Sequence, residues 1–170
     1  MTKKYILTGG PGSGKSSIVL ALEDMGEHII REAAEDVIRR EQARGYKEPW
    51  FEKGFQEKIL GLQIQREERI PKEAERCFLD RGIYDGLAYS EKGSEIFKRI
   101  RAMDQGYEGK VFLVENRGST EKTQVRRESQ EEALEVERNL ERIYKELGYE
   151  VIRIPDATVE ERTKLVLENL

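Results

Sequence analysis

The chain has 170 residues, a length at which one domain buries a core of its own. Charged residues make up 38% of the sequence and apolar residues 37%, which predicts a small core inside a strongly ionic surface. The net charge of −4 argues against a protein that coats duplex DNA by bulk electrostatics, but it is compatible with a local anion site.

Rare residue types exclude further kinds of site. The one cysteine, Cys77, has no partner for a disulfide within the chain, and its apolar neighbours predict a buried thiol. The one histidine, His28, lies in a short apolar run that predicts a strand edge rather than a catalytic position. No stretch resembles a signal peptide or reaches the roughly 18 apolar residues of a membrane span. We therefore expect a cytoplasmic protein without a membrane partner.

The first half of the chain alternates short apolar runs with helical patterns. The β-rich run "KKYILTGG" (3–10) predicts a strand, and apolar residues at helical spacing after it predict a helix that ends at Gly26. A second short strand, to Arg31, precedes a helix that stops near Gly45. A long helix is predicted over residues 51–70, where Pro71 closes it.

The second half continues the same alternation. Its predicted elements are a buried strand (76–80), two short helices (82–106), a buried strand (110–115), a polar loop (116–125), the clearest helix of the chain (126–148), a fifth strand (149–155) and a final helix (158–170). Thr158 is the predicted N-cap of the last helix. Strands that alternate with helices predict a parallel sheet covered on both faces, with right-handed crossovers.

A phosphate-binding loop is predicted between the first strand and the first helix. Gly9, Gly14, Lys15 and Ser16 fit the pattern GxxxxGK[ST], in the strand–loop–helix context that the motif requires. Glycines let main-chain amides converge on an anion, the lysine reaches the β- and γ-phosphates, and the serine hydroxyl joins the shell of a Mg²⁺ ion. A nucleoside triphosphate and Mg²⁺ are therefore the expected ligands, and the motif leaves the choice between ATP and GTP open. The predicted nucleotide contacts are Gly10, Gly12, Ser13, Gly14, Lys15, Ser16 and Ser17.

An aspartate and an arginine follow the third predicted strand, in "FLDRGIYDGLAY". Asp80 occupies the strand end at which open α/β sheets bind ligands, so it is the candidate Mg²⁺ ligand together with Ser16. The alternative role of Asp80 is to cap the short helix that follows. Arg81 is a candidate clamp for the transferred phosphoryl group, and its alternative is a salt bridge to a nearby carboxylate. Asp85 is a weaker candidate.

Glu32 ends the second predicted strand and is the candidate general base for an acceptor hydroxyl. Its alternative is to stabilise its own helix from the first turn. Arg126 and Arg127, after the polar loop, are candidates to offset charge on the transferred phosphoryl group, or they are solvated surface arginines. An aromatic group, Trp50, Phe51 and Phe55, either stacks on an acceptor or belongs to the core.

Seven stretches in this order and spacing resemble a family of small bacterial P-loop proteins described as predicted ATPases or kinases and placed among AAA-like domains. The nearest functional relatives of that family are nucleoside and nucleotide kinases, including ribosylnicotinamide kinases. The stretches are "TGGPGSGKSS", "REAAEDVI", "EPWFEKGFQ", "FLDRGIYDGLAY", "VFLVE", "RRESQEEA" and "YKELGYEVIRIPDATVEER".

The resemblance implies an α/β P-loop NTPase fold over residues 1–170. Its five parallel strands would follow the nucleotide-kinase order 2-3-1-4-5, with a lid at about residues 116–127. It also implies that Glu32, Asp80 and Arg81 are the acidic residue and the "DRG" pair of such kinases. Arg126 and Arg127 would be the lid arginines.

Three functions remain open at this point. The first is an ATP-dependent, Mg²⁺-dependent kinase that transfers the γ-phosphate to a hydroxyl or phosphate of a small nucleoside-like or nucleotide-like acceptor. The second is a nucleotide-dependent switch or slow NTPase that acts through protein partners. The third is a polynucleotide 5′-hydroxyl kinase, which requires a basic channel for the strand, and Arg39, Arg40 and Arg44 are the residues that hint at one.

Overall fold

A computed structural model describes residues 2–116 and 130–170 of the chain. Strands and helices alternate as the sequence predicts. In chain order they are β1 (Lys3–Thr8), α1 (Lys15–Asp24), β2 (His28–Ile30), α2 (Ala33–Ala43), a 3₁₀ turn (Pro49–Phe51), α3 (Phe55–Glu67), β3 (Arg76–Asp80), a second 3₁₀ segment (Ile83–Ala88), α4 (Glu95–Ala102), β4 (Lys110–Val114), α5 (Gln130–Glu146), β5 (Glu150–Ile154) and α6 (Val159–Glu168).

The five strands form one parallel sheet in the order β2-β3-β1-β4-β5. This confirms the predicted 2-3-1-4-5 order. β3, β1 and β4 lie in the middle of the sheet, and their side chains are buried on both faces, which is why these strands are apolar without alternation. The carboxyl ends of β1, β2 and β3 meet at one edge of the sheet, where a doubly wound fold binds its ligands.

Alternate residues of each strand enter different cores. Tyr5 and Leu7 of β1 pack under α1 and α6, whereas Ile6 between them packs on the opposite face with residues of α3, α4 and α5. Cys77 is buried in this second core, and burial raises the pKa of its thiol to about 12. The predicted structural role of this cysteine is thereby confirmed.

The predicted long helix is shorter at both ends than the sequence indicates. The helix expected over residues 51–70 begins at Phe55, because Glu52 is extended and Gly54, at φ 81°, takes the left-handed conformation that starts the helix. It ends at Glu67, before Pro71.

The predicted cap on α6 is confirmed, since the Thr158 hydroxyl accepts a hydrogen bond from the Glu161 amide at 3.2 Å. In the two described ranges, no helix is both long and apolar enough to cross a bilayer.

Candidate active site

The P-loop connects the buried end of β1 to α1. Gly14, at φ 89°, begins the helix, and Lys15 in its first position is only 4% exposed. The Lys15 ammonium donates to the Gly10 carbonyl at 3.2 Å and to the Ser13 hydroxyl at 3.4 Å. Burial and, second, the nearby Arg81 guanidinium lower the pKa of Lys15. The ammonium is thus held over the loop by two neutral groups, which a phosphate oxygen can replace.

Two loop glycines are required by the packing around them. A Cβ on Gly9 would lie 2.4 Å from the Val114 carbonyl oxygen, and one on Gly10 would lie 2.4 Å from the Ala133 carbonyl oxygen. Both contacts are with backbone, which cannot rotate away as a side chain can. These glycines therefore let β4 and α5 approach the loop closely.

Asp80 ends β3 directly beside the P-loop. The Ser16 hydroxyl donates to Asp80 Oδ2 at 2.6 Å, so the two predicted Mg²⁺ ligands are in contact. Asp80 Oδ1 is buried and has no hydrogen-bond partner among the described residues, and burial raises the pKa of this carboxyl to about 6. A buried acceptor of this kind fits a hard divalent cation or its bound water. The residues present are therefore compatible with Mg²⁺.

The following 3₁₀ segment is capped without Asp80. Gly82 is its N-cap residue, and Asp85 closes the cap by accepting from the Gly82 amide at 3.0 Å. The alternative capping role of Asp80 is therefore wrong, because Asp80 lies two residues too early and its side chain turns to Ser16.

Arg81 holds an uncommon backbone conformation at the same edge. It is the one described non-glycine residue with positive φ, at 70°, and its amide donates to the Leu7 carbonyl at 3.0 Å. Its guanidinium lies 3.1 Å from Glu32 and 3.5 Å from Asp85, over the ring of Tyr89. The alternative interpretation of Arg81, a salt bridge to a nearby carboxylate, is therefore confirmed. The clamp role of Arg81 remains a prediction, and it is compatible with these contacts.

Glu32 lies at the N-cap position of α2, but its side chain makes no capping hydrogen bond. The Glu32 carboxylate contacts Arg81 at the edge of the sheet, and the Glu32 side chain is 17% exposed. Glu32 and Arg81 are 49 residues apart in sequence, and they meet because β2 and β3 are neighbours in the sheet. A partly exposed carboxylate beside the P-loop is the geometry that a base for an acceptor requires.

Asp85 has a larger structural role than the sequence indicates. It is 3% exposed and accepts hydrogen bonds from the Thr8 hydroxyl at 2.6 Å, the Tyr144 hydroxyl at 2.5 Å and the Gly82 amide. β1, α5 and the turn that carries Arg81 are thereby joined through one carboxylate. The sequence signal was an acidic residue inside an apolar helical pattern.

Arg162 is a second structural residue that sequence analysis missed. It is fully buried, and its guanidinium donates to the carbonyls of Ser13, Glu115 and Pro155 at 2.6 to 2.8 Å. These contacts tie the P-loop to the ends of β4 and β5. The signal was an arginine on the apolar face of the last helix, between Val159 and Val166.

A cavity of about 380 Å³ extends from the P-loop along α2 and α3. One end is lined by Gly12, Gly14, Lys15, Ser16 and Ser17, and the other by apolar and aromatic side chains, among them Ile38, Trp50, Phe51, Phe55, Ile59 and Tyr89. Phe55 packs in a small core with α2 and still reaches the cavity, whereas Phe51 is 77% exposed at its rim. The two interpretations of this aromatic group are therefore not exclusive.

The remaining predicted residues divide into two groups. Arg126 and Arg127, with most of the predicted lid, lie outside the described residues. Arg39 and Arg40 are on α2 and Arg44 directly follows it; Arg39 pairs with Glu35 at 3.7 Å and Arg44 with Glu41 at 2.9 Å. Arg40 is 3.9 Å from the same Glu41. These carboxylates offset much of the positive charge that a nucleic-acid channel would need.

Comparisons with known proteins agree with this architecture. The profile of a family described as an AAA domain matches residues 4–162, so the chain belongs to that family. A thymidylate kinase from Candida albicans is similar in structure, with a TM-score of 0.62, 12% identity, and coverage of 99% of this chain and 90% of that one.

Two further solved structures have the same fold. One is a deoxyadenosine kinase from M. mycoides crystallised with products, with a TM-score of 0.61, 18% identity, and coverage of 98% of this chain and 97% of that one. The other is a thymidylate kinase from Ehrlichia chaffeensis, with a TM-score of 0.62, 14% identity, and coverage of 99% and 98%. A search of curated protein sequences gave no match. The chain therefore has the P-loop fold of nucleotide kinases.

Proposed function

We propose that this AAA-domain protein is a P-loop kinase that transfers the γ-phosphate of ATP to a small nucleoside-like or nucleotide-like acceptor. The observation that supports the proposal best is a continuous cavity lined by the P-loop, by Glu32 and Arg81, and by a group of aromatic side chains. A phosphoryl donor and an acceptor must meet in line within one such cavity. The resemblance to thymidylate and deoxyadenosine kinases favours a nucleotide or a nucleoside as the acceptor.

The reacting groups would be arranged as follows. Main-chain amides of the P-loop and the Lys15 ammonium hold the β- and γ-phosphates. Glu32 orients the acceptor or accepts its proton, and Arg81 offsets charge that develops on the transferred phosphoryl group. Arg126 and Arg127 are proposed to act from the lid. Most of the rate acceleration would come from positioning and electrostatics rather than from covalent catalysis.

Ser16 and Asp80 are the residues that would hold Mg²⁺. The ion would supply positive charge that offsets the negative charge of the triphosphate. Among the residues in the described ranges, no three His, Cys, Asp or Glu side chains converge as a metal site. A site of one hydroxyl, one carboxylate and phosphate oxygens fits Mg²⁺, which keeps several waters.

The competing function is a nucleotide-dependent switch or slow NTPase. Such a protein needs the P-loop but has no need of a built acceptor compartment beside it. The aromatic end of the cavity therefore favours the kinase. A polynucleotide kinase is less well supported, because Arg39 and Arg44 pair with glutamates of α2.

Transfer of label from [γ-³²P]ATP tests the proposal directly. The purified protein is incubated with Mg²⁺ and with nucleosides, nucleoside monophosphates, ribosylnicotinamide or short oligonucleotides, and labelled products are separated by chromatography. The expected result is a phosphorylated small acceptor, formed faster than ATP is hydrolysed to free phosphate. A Lys15→Ala variant should give no product, and Lys92→Ala, which changes an exposed lysine, should match the unchanged protein.

Free phosphate as the sole labelled product, at a rate that no acceptor changes, would contradict the kinase and favour the switch. Phosphorylated oligonucleotides without any small product would favour the polynucleotide kinase.

A further inference from the structure

The acceptor end of the cavity is the part away from the P-loop, where the acceptor would bind. Its charges indicate which kind of acceptor the proposed kinase would take, an inference that rests on that proposed function. Within the described part of the chain, this end is lined by three carboxylates, Glu32, Glu35 and Asp85, and by one cation, Arg81. Lys15, on the P-loop, also lines the cavity. Even with Lys15 counted, the described residues of the lining carry more negative than positive charge.

The positive charge of Arg81 is already shared between two carboxylates. Its guanidinium lies 3.1 Å from Glu32 and 3.5 Å from Asp85, and its side chain is 12% exposed. Asp85 cannot swing away to release it, because the same carboxylate accepts hydrogen bonds from Thr8, Gly82 and Tyr144. A dianionic phosphate placed against Arg81 would also lie close to both carboxylates, and like charges at such distances repel strongly in a half-buried site.

A hydroxyl acceptor and a phosphate acceptor need opposite charges beside the attacking oxygen. A hydroxyl must lose a proton when its oxygen attacks the γ-phosphorus, so a carboxylate beside it assists the reaction. A phosphate oxygen is already deprotonated and gains nothing from a base, but it needs surplus cations to approach the γ-phosphate. Glu32 beside the P-loop satisfies the first demand and opposes the second.

The rest of the compartment suits a planar ring. Trp50, Phe55 and Tyr89 contribute aromatic faces or edges to its walls, and Ile38 and Ile59 supply apolar area. A flat heterocycle fits between such surfaces by stacking, without a charged anchor. The half-buried amide side chain of Gln56 also lines the cavity and is suited to the polar edge of a ring.

We infer that the acceptor is an unphosphorylated, hydroxyl-bearing molecule with a planar ring, of the nucleoside class, rather than a nucleoside monophosphate. The acceptor hydroxyl oxygen forms a bond to the γ-phosphorus of ATP, and the bond from that phosphorus to the β,γ-bridging oxygen breaks. ADP leaves with the electron pair of the broken bond. The hydroxyl proton passes to Glu32 and from there to solvent, so the products are a phosphate monoester, ADP and a proton.

Trp50 provides a binding signal that is independent of turnover, because it is the single tryptophan of the sequence and it lines the cavity. Its fluorescence is titrated, with Mg²⁺ and a non-hydrolysable ATP analogue present, against adenosine, guanosine, cytidine, uridine and thymidine. Each nucleoside is paired with its own 5′-monophosphate. For the nucleoside that binds best, we expect at least about tenfold tighter binding than for its 5′-monophosphate, from one repulsive contact at partly buried distances.

A charge-reversal variant makes the test specific to the compartment. Glu35 lines the cavity, and its side chain is 36% exposed, so Glu35→Lys should remain folded. The added positive charge should shift the ratio of the two affinities about fivefold toward the monophosphate. Glu23→Lys, the same change at an exposed position of α1 outside the cavity, should leave the ratio unchanged.

The outcomes separate the inference from the kinase proposal. A monophosphate that binds as tightly as its nucleoside, or binding of neither, overturns the inference. Equal shifts from Glu35→Lys and Glu23→Lys would also overturn it, since the cavity charge would then not be the cause. Phosphoryl transfer to a monophosphate alone keeps the kinase and overturns the inference. Tight nucleoside binding without any transfer keeps the inferred ligand and overturns the kinase.

Discussion

The two ends of the cavity are built in different ways. The phosphate end, at the P-loop, is one contiguous segment from which Gly12, Gly14, Lys15, Ser16 and Ser17 line the cavity. The acceptor end is assembled from α2, the 3₁₀ turn before α3, α3 itself and the turn after β3, and salt bridges join parts that are distant in sequence. The first depends on local backbone conformation, whereas the second depends on the packing of four segments.

This difference predicts how each end responds to substitution. A change in the phosphate end should act on nucleotide binding, with or without an acceptor. A change in the acceptor end should leave ATP affinity nearly constant and alter turnover, acceptor affinity or the stability of the fold. The following substitutions, from the largest expected effect to the smallest, test whether the two ends separate in this way.

Lys15→Ala should have the largest effect. It removes a buried charge that we propose binds the β- and γ-phosphates, so ATP affinity should fall by about 10²-fold and phosphoryl transfer by about 10³-fold or more. Titration calorimetry with a non-hydrolysable analogue gives the affinity. An unchanged affinity would mean that the loop is not the nucleotide site, and Lys92→Ala is the matched surface control.

Glu32→Gln should act on the acceptor end alone. Loss of the base should lower kcat by about 10²-fold, while the amide keeps the size of the side chain and ATP affinity stays within about twofold. Steady-state kinetics with the best acceptor, alongside calorimetry with the ATP analogue, measures both quantities. Turnover equal to that of the unchanged protein would remove Glu32 from catalysis.

Asp85→Asn tests the link between the acceptor end and the fold. An asparagine retains one acceptor oxygen, so one of the three donors around this buried position would face an NH₂ group instead. The free energy of unfolding should fall by about 2–3 kcal/mol, as measured by urea denaturation. Asp24→Asn at the exposed end of α1 is the control, and equal losses in the two variants would contradict the role assigned to Asp85.

Asp80→Asn should have the smallest effect on the fold, and it should be pH-dependent. Because burial raises the folded pKa of Asp80 to about 6 from an ordinary value of 3.8, its ionisation costs stability as pH rises between these values. Without Mg²⁺ and nucleotide, the variant should therefore be more stable than the unchanged protein at pH 8 by about 1–2 kcal/mol, and equally stable near pH 3.5.

Thermal denaturation in EDTA at the two pH values measures this difference. The same variant should lose the extra stabilisation that Mg²⁺–ATP gives to the unchanged protein. A variant that is less stable at pH 8 than the unchanged protein would show that Asp80 is not penalised by burial.

How far the sequence predicts this protein depends on the range of the interactions involved. The P-loop, the strand order and the positions of most helices are predictable, because they follow from local glycine geometry, from hydrophobic periodicity and from a resemblance that covers nearly the whole chain. The start of α3 is not, since aromatic residues at positions 50, 51 and 55 fit a helical pattern that Gly54 interrupts.

The structural roles of Asp85 and Arg162 were also not predictable from the sequence. Both are charged residues whose partners lie on other elements, up to 149 residues away in the case of the contact between Arg162 and Ser13. A sequence shows that a charge lies on an apolar face, but it does not show which donors or acceptors meet it there.

The sequence by itself determined that a P-loop lies between a buried strand and a helix, because that geometry needs only neighbouring residues. Only the tertiary structure decided that Glu32 and Asp85 both contact Arg81, and that aromatic side chains of separate segments share one cavity. The physical reason is that the charge balance of the acceptor end is a sum over groups that parallel strand pairing and helix packing bring together.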